Sequence, residues 1–290
     1  MFADPGFWIV QLLNGLQFSM LLFLLSVGLT VIFGLMNFVN LAHGSLYALG
    51  AFVGWSWVNV SGSYWLAFFL APVCVAAVGA LLYVTLIDRM RAAGPLNQVL
   101  VTFGLIFVFL DVFRYFWGDF TLGVDKPALL AGGFEIGGQI YPAYRLFIIA
   151  LGLLVLAGLW VVLERTNVGA TIRAGVDNSE MASCLGINVE KVFFIVFCVG
   201  CALAGLAGVV AAPLFSVSPG MGIELLIPTL IVVVIGGLGS LKGAIAGSLL
   251  VGMLQTFGQV LAPQLASMLV YLLLAATLIM RPQGLFPARA

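Results

Sequence analysis

Long apolar runs follow one another along almost the whole chain, separated by short polar or glycine-rich breaks. About 20 apolar residues are needed to cross about 30 Å of hydrocarbon, because a helix rises about 1.5 Å per residue. On that criterion the pattern predicts spans over 9–35, 41–60, 64–87, 96–118, 143–163, 191–212, 223–240, 243–262 and 264–280. The first is long enough to tilt or bend. The 41–60 run is diluted by glycines, serines and His43, and only Leu238–Lys242 divides 223–262. The reading is an all-α polytopic membrane protein of roughly eight to nine transmembrane helices, with broken or re-entrant segments.

Composition agrees. Of 290 residues, 63% are apolar and only 8% charged, whereas a soluble domain carries about 25% charged residues. Eleven cations and eleven anions cannot coat a soluble protein of this size, so most of the outer surface faces lipid. The zero net charge gives no basic footprint for nucleic acid. One histidine and four scattered cysteines provide no metal-ligand spacing. No nucleophile–base set stands out either, so no catalytic or metal residue is expected, and the chain reads as a non-enzyme.

Charge placement sets an expected orientation. Arg89 and Arg91, then Arg165, Arg173 and Lys191, then Arg281 and Arg289 form three basic groups, which the positive-inside rule assigns to the cytoplasm. The C-terminus is then cytoplasmic and the N-terminus external. The start, MFADPG, lacks the basic region of a cleaved signal peptide. Cys74, Cys198 and Cys201 fall in spans and Cys184 in a cytoplasmic loop, where packing explains them without a disulfide.

Two loops stand out. The external segment 119–142 alternates over Phe134–Tyr141 about Gly137-Gly138, the pattern of a tight hairpin. It reads equally as a lid over helix ends and as a docking surface for an external partner. The cytoplasmic segment 164–190 predicts a short helix–turn–helix on the membrane surface. Val168–Ala174 supplies one or two turns, Asp177 and Glu180 resemble a capping box, Met181, Cys184 and Leu185 share a face, and Gly186 is a helix stop. By residue pattern alone this is a connector with a surface-bound amphipathic helix.

Small residues recur at helical spacing in Gly50-x-x-x-Gly54, Gly200-x-x-x-Ala204-x-x-x-Gly208 and Gly243-x-x-x-Gly247. In lipid such faces hold helices together by close backbone approach, within one subunit or between two. Between Gly34 and Gly44 stand Asn37, Asn40 and His43, polar groups that need partners in a bundle interior or a wet cavity. They either tie off two helix ends or line a path. The Gly236–Gly243 turn is not a nucleotide loop, since Lys242 follows Leu241 and precedes Gly243. Its faint echo of 40–45 suggests a duplicated half. Asp111 and Arg114 are three apart on one helix and are expected to pair there, while Glu224 sits at a helix start that favours an anion. With no unpaired acid near mid-membrane, a proton-driven carrier is disfavoured.

The stretch Gly28–Gly44, the loop Glu164–Ala174 continuing through Asn178 and Ala182 to Leu185-Gly186-Ile187-Asn188, the turn Gly236–Ser240 and the tail Arg281–Phe286 together resemble the branched-chain amino-acid ABC transporter permeases. The likeness covers essentially the whole chain and is nearer the smaller, high-affinity-system permease type. It implies one permease domain over 1–290 with the ABC importer permease fold, in the bacterial inner membrane. It also implies a second, usually different, permease subunit, two cytoplasmic ATPases, and an external binding protein delivering leucine, isoleucine or valine. No cofactor is implied in this chain, since ATP belongs to the partner ATPases. The 164–190 loop becomes the ATPase-coupling element, with Arg165, Arg173, Asn178, Glu180 and Gly186 as its expected contacts. Asn37, Asn40 and His43 are the expected path or gate residues. The alternatives are a stand-alone channel or facilitator, or a permease for urea, short amides or other amino acids.

Overall fold

In the computed structural model, residues 5–90 and 93–286 are described; Arg91, Arg289 and the MFADPG start up to Asp4 lie outside them. The chain runs α1 (Pro5–Met36), α2 (His43–Ser61), α3 (Tyr64–Leu82), which continues through a π-helical turn (Tyr83–Ile87) into the short α4 (Asp88–Met90), and α5 (Pro95–Trp117). Residues 118–132 lead to β1 (Gly133–Ile136) and β2 (Gln139–Pro142), then come α6 (Ala143–Arg165), α7 (Asn167–Asp177) and α8 (Ser179–Cys184). The rest is α9 (Val189–Phe215), α10 (Met221–Gly236), α11 (Leu241–Leu261) and α12 (Ala266–Met280). Each expected span has a helix. Six are long and apolar enough to cross a membrane, α10 and α12 are shorter, and the 19-residue α2 is not among the six. At about 1.5 Å per residue, the 16 residues of α10 reach only about 24 Å, short of the about 30 Å of a hydrocarbon core.

α1 is the axis of the bundle. Every residue from Ser19 to Thr30 is buried, as a helix apolar on all sides must be when protein surrounds it. Its serines satisfy themselves within the helix: the Ser19 hydroxyl donates to the Gly15 carbonyl at 2.7 Å and that of Ser26 to the Phe23 carbonyl at 3.2 Å. Helices α9, α11, α10 and α6 pack around it, and α2 and α3 pack on α9.

The small-residue stripes are spent inside this chain. A Cβ on Gly50 would come within 2.5 Å of the Gly205 Cα, so α2 and α9 touch backbone to backbone. Gly236 of α10 and Gly243 of α11 face each other in the same way. Cys201 is buried, its sulfur packed against Gly79, and all four cysteines are free. Proline in α9 shapes the opposite end. Pro213 has no N–H for the Val209 carbonyl four residues before it. The Tyr64 hydroxyl donates to that carbonyl at 3.2 Å, and the Tyr144 hydroxyl donates to the next, Val210, at 2.8 Å.

The segment between α5 and α6 is pinned rather than loose. Leu122 and Val217 exchange two backbone hydrogen bonds of 2.8 Å, and the Trp117 indole donates to Ser56 at 2.7 Å. β1 and β2 pair antiparallel about Gly137-Gly138, both with positive φ, which is the geometry a two-residue turn requires. Tyr141 of β2 is buried, which pushes its phenol up while the Arg145 guanidinium pulls the other way.

One expected contact is absent. Arg114 pairs with Asp119 at 3.2 Å, not with Asp111. Asp119 follows the helix end at Gly118 and lies nearer the aqueous boundary, so the guanidinium reaches outward to it. Asp111 is exposed and has no partner among the described residues.

Candidate functional site

Two places carry polar chemistry at the end of the bundle where α1, α6 and α12 finish. The first is the break between α1 and α2. α1 stops at Met36, and Asn37 takes a left-handed φ of 48°, which asparagine tolerates better than other non-glycine residues. Its N–H closes the last helical turn on the Phe33 carbonyl at 2.8 Å. The chain is then non-helical to Asn40, turns at Leu41 and Ala42, and re-enters helix at His43. The sequence-predicted trio is split by this geometry: Asn37 is exposed, whereas Asn40 and His43 are buried. His43 Nε2 faces the Leu25 carbonyl at 3.1 Å, so the ring proton sits on Nε2. The ring also lies against Gly28, where any side chain would collide with it.

Thr102 of α5 completes this break, and no pattern in the sequence marks it. Its hydroxyl donates to the Gln98 carbonyl at 2.8 Å and accepts from the Leu41 N–H at 3.3 Å. A helix-internal threonine thus anchors non-helical backbone from another segment. Beside it the second polar turn, Gly237–Ser240, packs on the same end: a Cβ on Gly34 would meet the Gly239 Cα at 2.6 Å. Ser240 caps α11 by accepting from the Gly243 N–H at 3.1 Å. The tail crosses this turn, its Leu285 and Phe286 N–H groups donating to the Ile235 and Gly236 carbonyls at 2.9 Å each. Those carbonyls end α10, so the tail satisfies groups the helix leaves open.

The second place is the helix pair α7–α8. α7 touches α1, α6 and α9, and α8 touches α9. α7 is capped by Thr166, whose hydroxyl oxygen accepts from the Gly169 N–H at 3.4 Å, and it runs to Asp177, beyond the turns expected over Val168–Ala174. The cap of α8 differs from the sequence reading as well. Asn178, not Asp177, is the N-cap, and its side chain accepts from the Met181 N–H at 2.9 Å. Asp177 is still helical, so it lacks the extended backbone that a capping residue needs, while Asn178 has it. The side chain of Asp177 is outside what is described.

Gly186 closes α8. With φ at 84° its N–H donates to Ser183 at 3.0 Å and that of Ile187 to Ala182 at 3.1 Å, the paired bonds of a Schellman stop. Arg165 and Arg173 both turn back on α6. The Arg165 guanidinium stands 5.3 Å from the Trp160 ring centre, and Arg173 donates to the Leu163 carbonyl. Glu180 sits in the first turn of α8, where the helix favours an anion. Met181 and Leu185, one turn apart, are 59% and 75% exposed, and Val168 is exposed on α7. The pair therefore presents an apolar strip away from the bundle. Its fixed caps make it a firm surface.

At the opposite end an open cavity of about 640 Å³ lies between the α2–α3 corner and residues 123–129, with Trp55, Trp65, Asp125 and Lys126 in its walls. Among the described residues no cluster of three metal-ligating side chains occurs.

Residues 11–278 match the family described as branched-chain amino acid transport system, permease component. The chain belongs to that family. The permease is 27% identical to the high-affinity branched-chain amino acid transport system permease protein BraD of Pseudomonas aeruginosa, with 96% of this chain and 95% of the relative covered. It is 25% identical to LivH of Escherichia coli K12, a protein of the same description, with equal coverage. It also resembles the ribose import permease protein RbsC of E. coli K12, at 30% identity over 87% of this chain and 78% of the relative. No solved structure matches it. Family and span content together make the permease a multi-pass membrane protein.

Proposed function

We propose that this permease is the membrane-spanning subunit of an ATP-binding-cassette importer for branched-chain amino acids of the leucine, isoleucine and valine type. Its relatives BraD and LivH carry that cargo in their names, and they align along nearly the full chain. The observation that carries the reading is the α7–α8 pair. It is a capped, amphipathic element projecting from an otherwise apolar bundle, with Met181 and Leu185 uncovered. An exposed apolar strip on a rigid short helix suits a groove in a partner protein.

In this reading two cytoplasmic ATPases seat the strip, and their ATP-driven closure moves α7 and α8. Because α7 packs on α1, α6 and α9, its displacement is passed to the axis of the bundle. Arg173 ties α7 to α6, Arg165 stands over Trp160 at the end of α6, Asn178 and Gly186 hold α8 in shape, and Glu180 is the charged contact toward the ATPase. Asn40 and His43 sit where α1 is interrupted, so a change of angle there alters access through the bundle, with Asn37 at its exposed edge. An external binding protein docks at the hairpin end, where the cavity between Trp55, Trp65, Asp125 and Lys126 opens. The C-terminus and α7–α8 face the cytoplasm of the cell's inner membrane.

The likeness to a ribose permease favours a second reading, in which the same machinery passes another small solute. Both are tested by ATP-dependent uptake in vesicles holding the permease, its ATPases and the binding protein. Labelled leucine should enter and be displaced by isoleucine and valine, not by ribose; ribose displacement selects the second reading. Arg173→Ala with Glu180→Ala should lower coupled ATP hydrolysis while the folded protein is recovered in full. Uptake that persists without the ATPases would mean a facilitator.

A further inference from the structure

Asp111 is the residue that the bundle leaves unexplained. α5 packs mainly on α2, and Thr102, Ile106, Phe109 and Phe113 lie on its buried face. At about 100° per residue, Asp111 points about 170° away from that face, in line with Leu100, Gly104, Phe107 and Tyr115. It lies six residues inside the external end of a 23-residue helix, so its carboxylate sits about 9 Å below that end. A side chain this short does not reach the interface from there. Exposing an aspartate to hydrocarbon costs up to about 3 kcal/mol on insertion scales, the figure for a helix centre, and less toward the ends.

The other outward faces show what lipid contact looks like in this protein. On α3 the exposed residues are Leu66, Phe69, Val73, Ala77 and Leu81, and on α6 all exposed residues from Ala150 to Val162 are apolar. Only α5 among these places a carboxylate in the band. Ionisable groups within spans face protein or a water-filled cavity. Asp111 faces away from this chain, so the protein that covers it comes from elsewhere.

We propose that the outward face of α5, from Leu100 through Phe107 and Asp111 to Tyr115, is the surface on which the second permease subunit packs. That subunit presents a cation or hydrogen-bond donor at the depth of Asp111. The inference rests on the importer reading for the kind of partner, while the charge alone argues for the face. A copy of the same face set symmetrically against it would bring two carboxylates together, and the nearest cation in this chain, Arg114, is already held by Asp119. The partner's contribution is therefore a different surface. Beside this face, Ile106, Leu110 and Phe113 share a groove with Pro219, Gly222 and Ile223 at the start of α10, floored by Ser45 and Ala48. Exposed Glu224 stands next to Ile223, and a subunit on α5 roofs this groove as well.

The test is photo-crosslinking in membranes that contain the assembled transporter. A photoreactive phenylalanine analogue is installed in turn at Phe107, Tyr115, Phe69 and Leu154, and adducts are identified by mass spectrometry. The expected result is that Phe107 and Tyr115 crosslink to a helix of a permease-family subunit other than this chain. The attachment site should lie within one turn of an Arg, Lys, His, Asn or Gln, and the probes at Phe69 and Leu154 should give lipid adducts. Lipid adducts alone at Phe107, or crosslinks between two copies of this chain, overturn the proposal. In parallel, Asp111→Leu should lower recovery of the permease pair about tenfold with this chain still recovered, and Asp111→Asn should retain most of it. Unchanged recovery with Asp111→Leu also overturns it. Crosslinking reads contact and not transport, so a failed uptake assay would refute the importer without touching this result.

Discussion

The Tyr64 hydroxyl donates to the carbonyl of Val209, the group that Pro213, lacking an N–H, leaves open in α9. The Tyr144 hydroxyl, 2.7 Å from that of Tyr64, serves the neighbouring carbonyl of Val210. Three helices are thereby joined at a point where one of them has a gap in its own ladder. Removing the oxygen with Tyr64→Phe should lower stability by about 1 kcal/mol, since a buried carbonyl loses its donor. Thermal unfolding in detergent should report a small drop in Tm, and Tyr144→Phe should behave alike.

Backbone contact between Gly50 and Gly205 leaves no room for a side chain. Gly50→Leu should therefore abolish the folded protein, read as loss of the monodisperse peak in size-exclusion chromatography. Gly158, on the outer face of α6, has nothing within 4 Å of its Cβ position. Gly158→Ala should leave the peak intact and raise stability by about 0.5–1 kcal/mol through helix propensity.

The two ends of α8 are held by different means. Asn178→Ala removes the cap on Met181 and should cost about 1 kcal/mol, while Gly186→Ala forces a side chain into the left-handed region and should cost about 1–2 kcal/mol. Both should be local: faster amide exchange confined to 178–187, with reduced ATP-coupled uptake and a little-changed Tm.

The tail offers a test at the α10 end. Gly284 has φ at 83° and lies against Gly237, so Gly284→Val should lift Leu285 and Phe286 from the Ile235 and Gly236 carbonyls. We expect a Tm drop of a few degrees and faster exchange at Leu285 and Phe286. Truncation after Met280 should have a similar effect on Tm. A tail variant with unchanged Tm would mean that water replaces those bonds without loss.

Much of the fold was legible. Every expected span is a helix, because hydrophobic run length is a direct physical requirement of the bilayer. The small-residue stripes marked the contact faces of α2, α9 and α11, though not that those contacts fall within one chain. The surface helix pair was legible from its composition, but its cap was misplaced by one residue. Asp177 and Asn178 are both good capping types, and only the backbone conformation separates them. Thr102 was missed because a threonine in an apolar helix gives no signal until another segment's N–H arrives beside it.

By itself the sequence determined that the chain is a multi-pass membrane protein, where its apolar helices run and where the short amphipathic helices lie between them, since each depends on local transfer free energy and local propensity. The tertiary structure decided how each helix is turned about its own axis. α1 and α9 are apolar all round, so no periodicity orients them, and close packing of glycine faces does so instead. The same rotation decided that Asn40 and His43 are enclosed while Asn37 is exposed, and that Arg114 reaches Asp119. It also turned Asp111 away from the bundle: spacing alone could pair it with Arg114, but the structure directs it outward and gives Arg114 to Asp119.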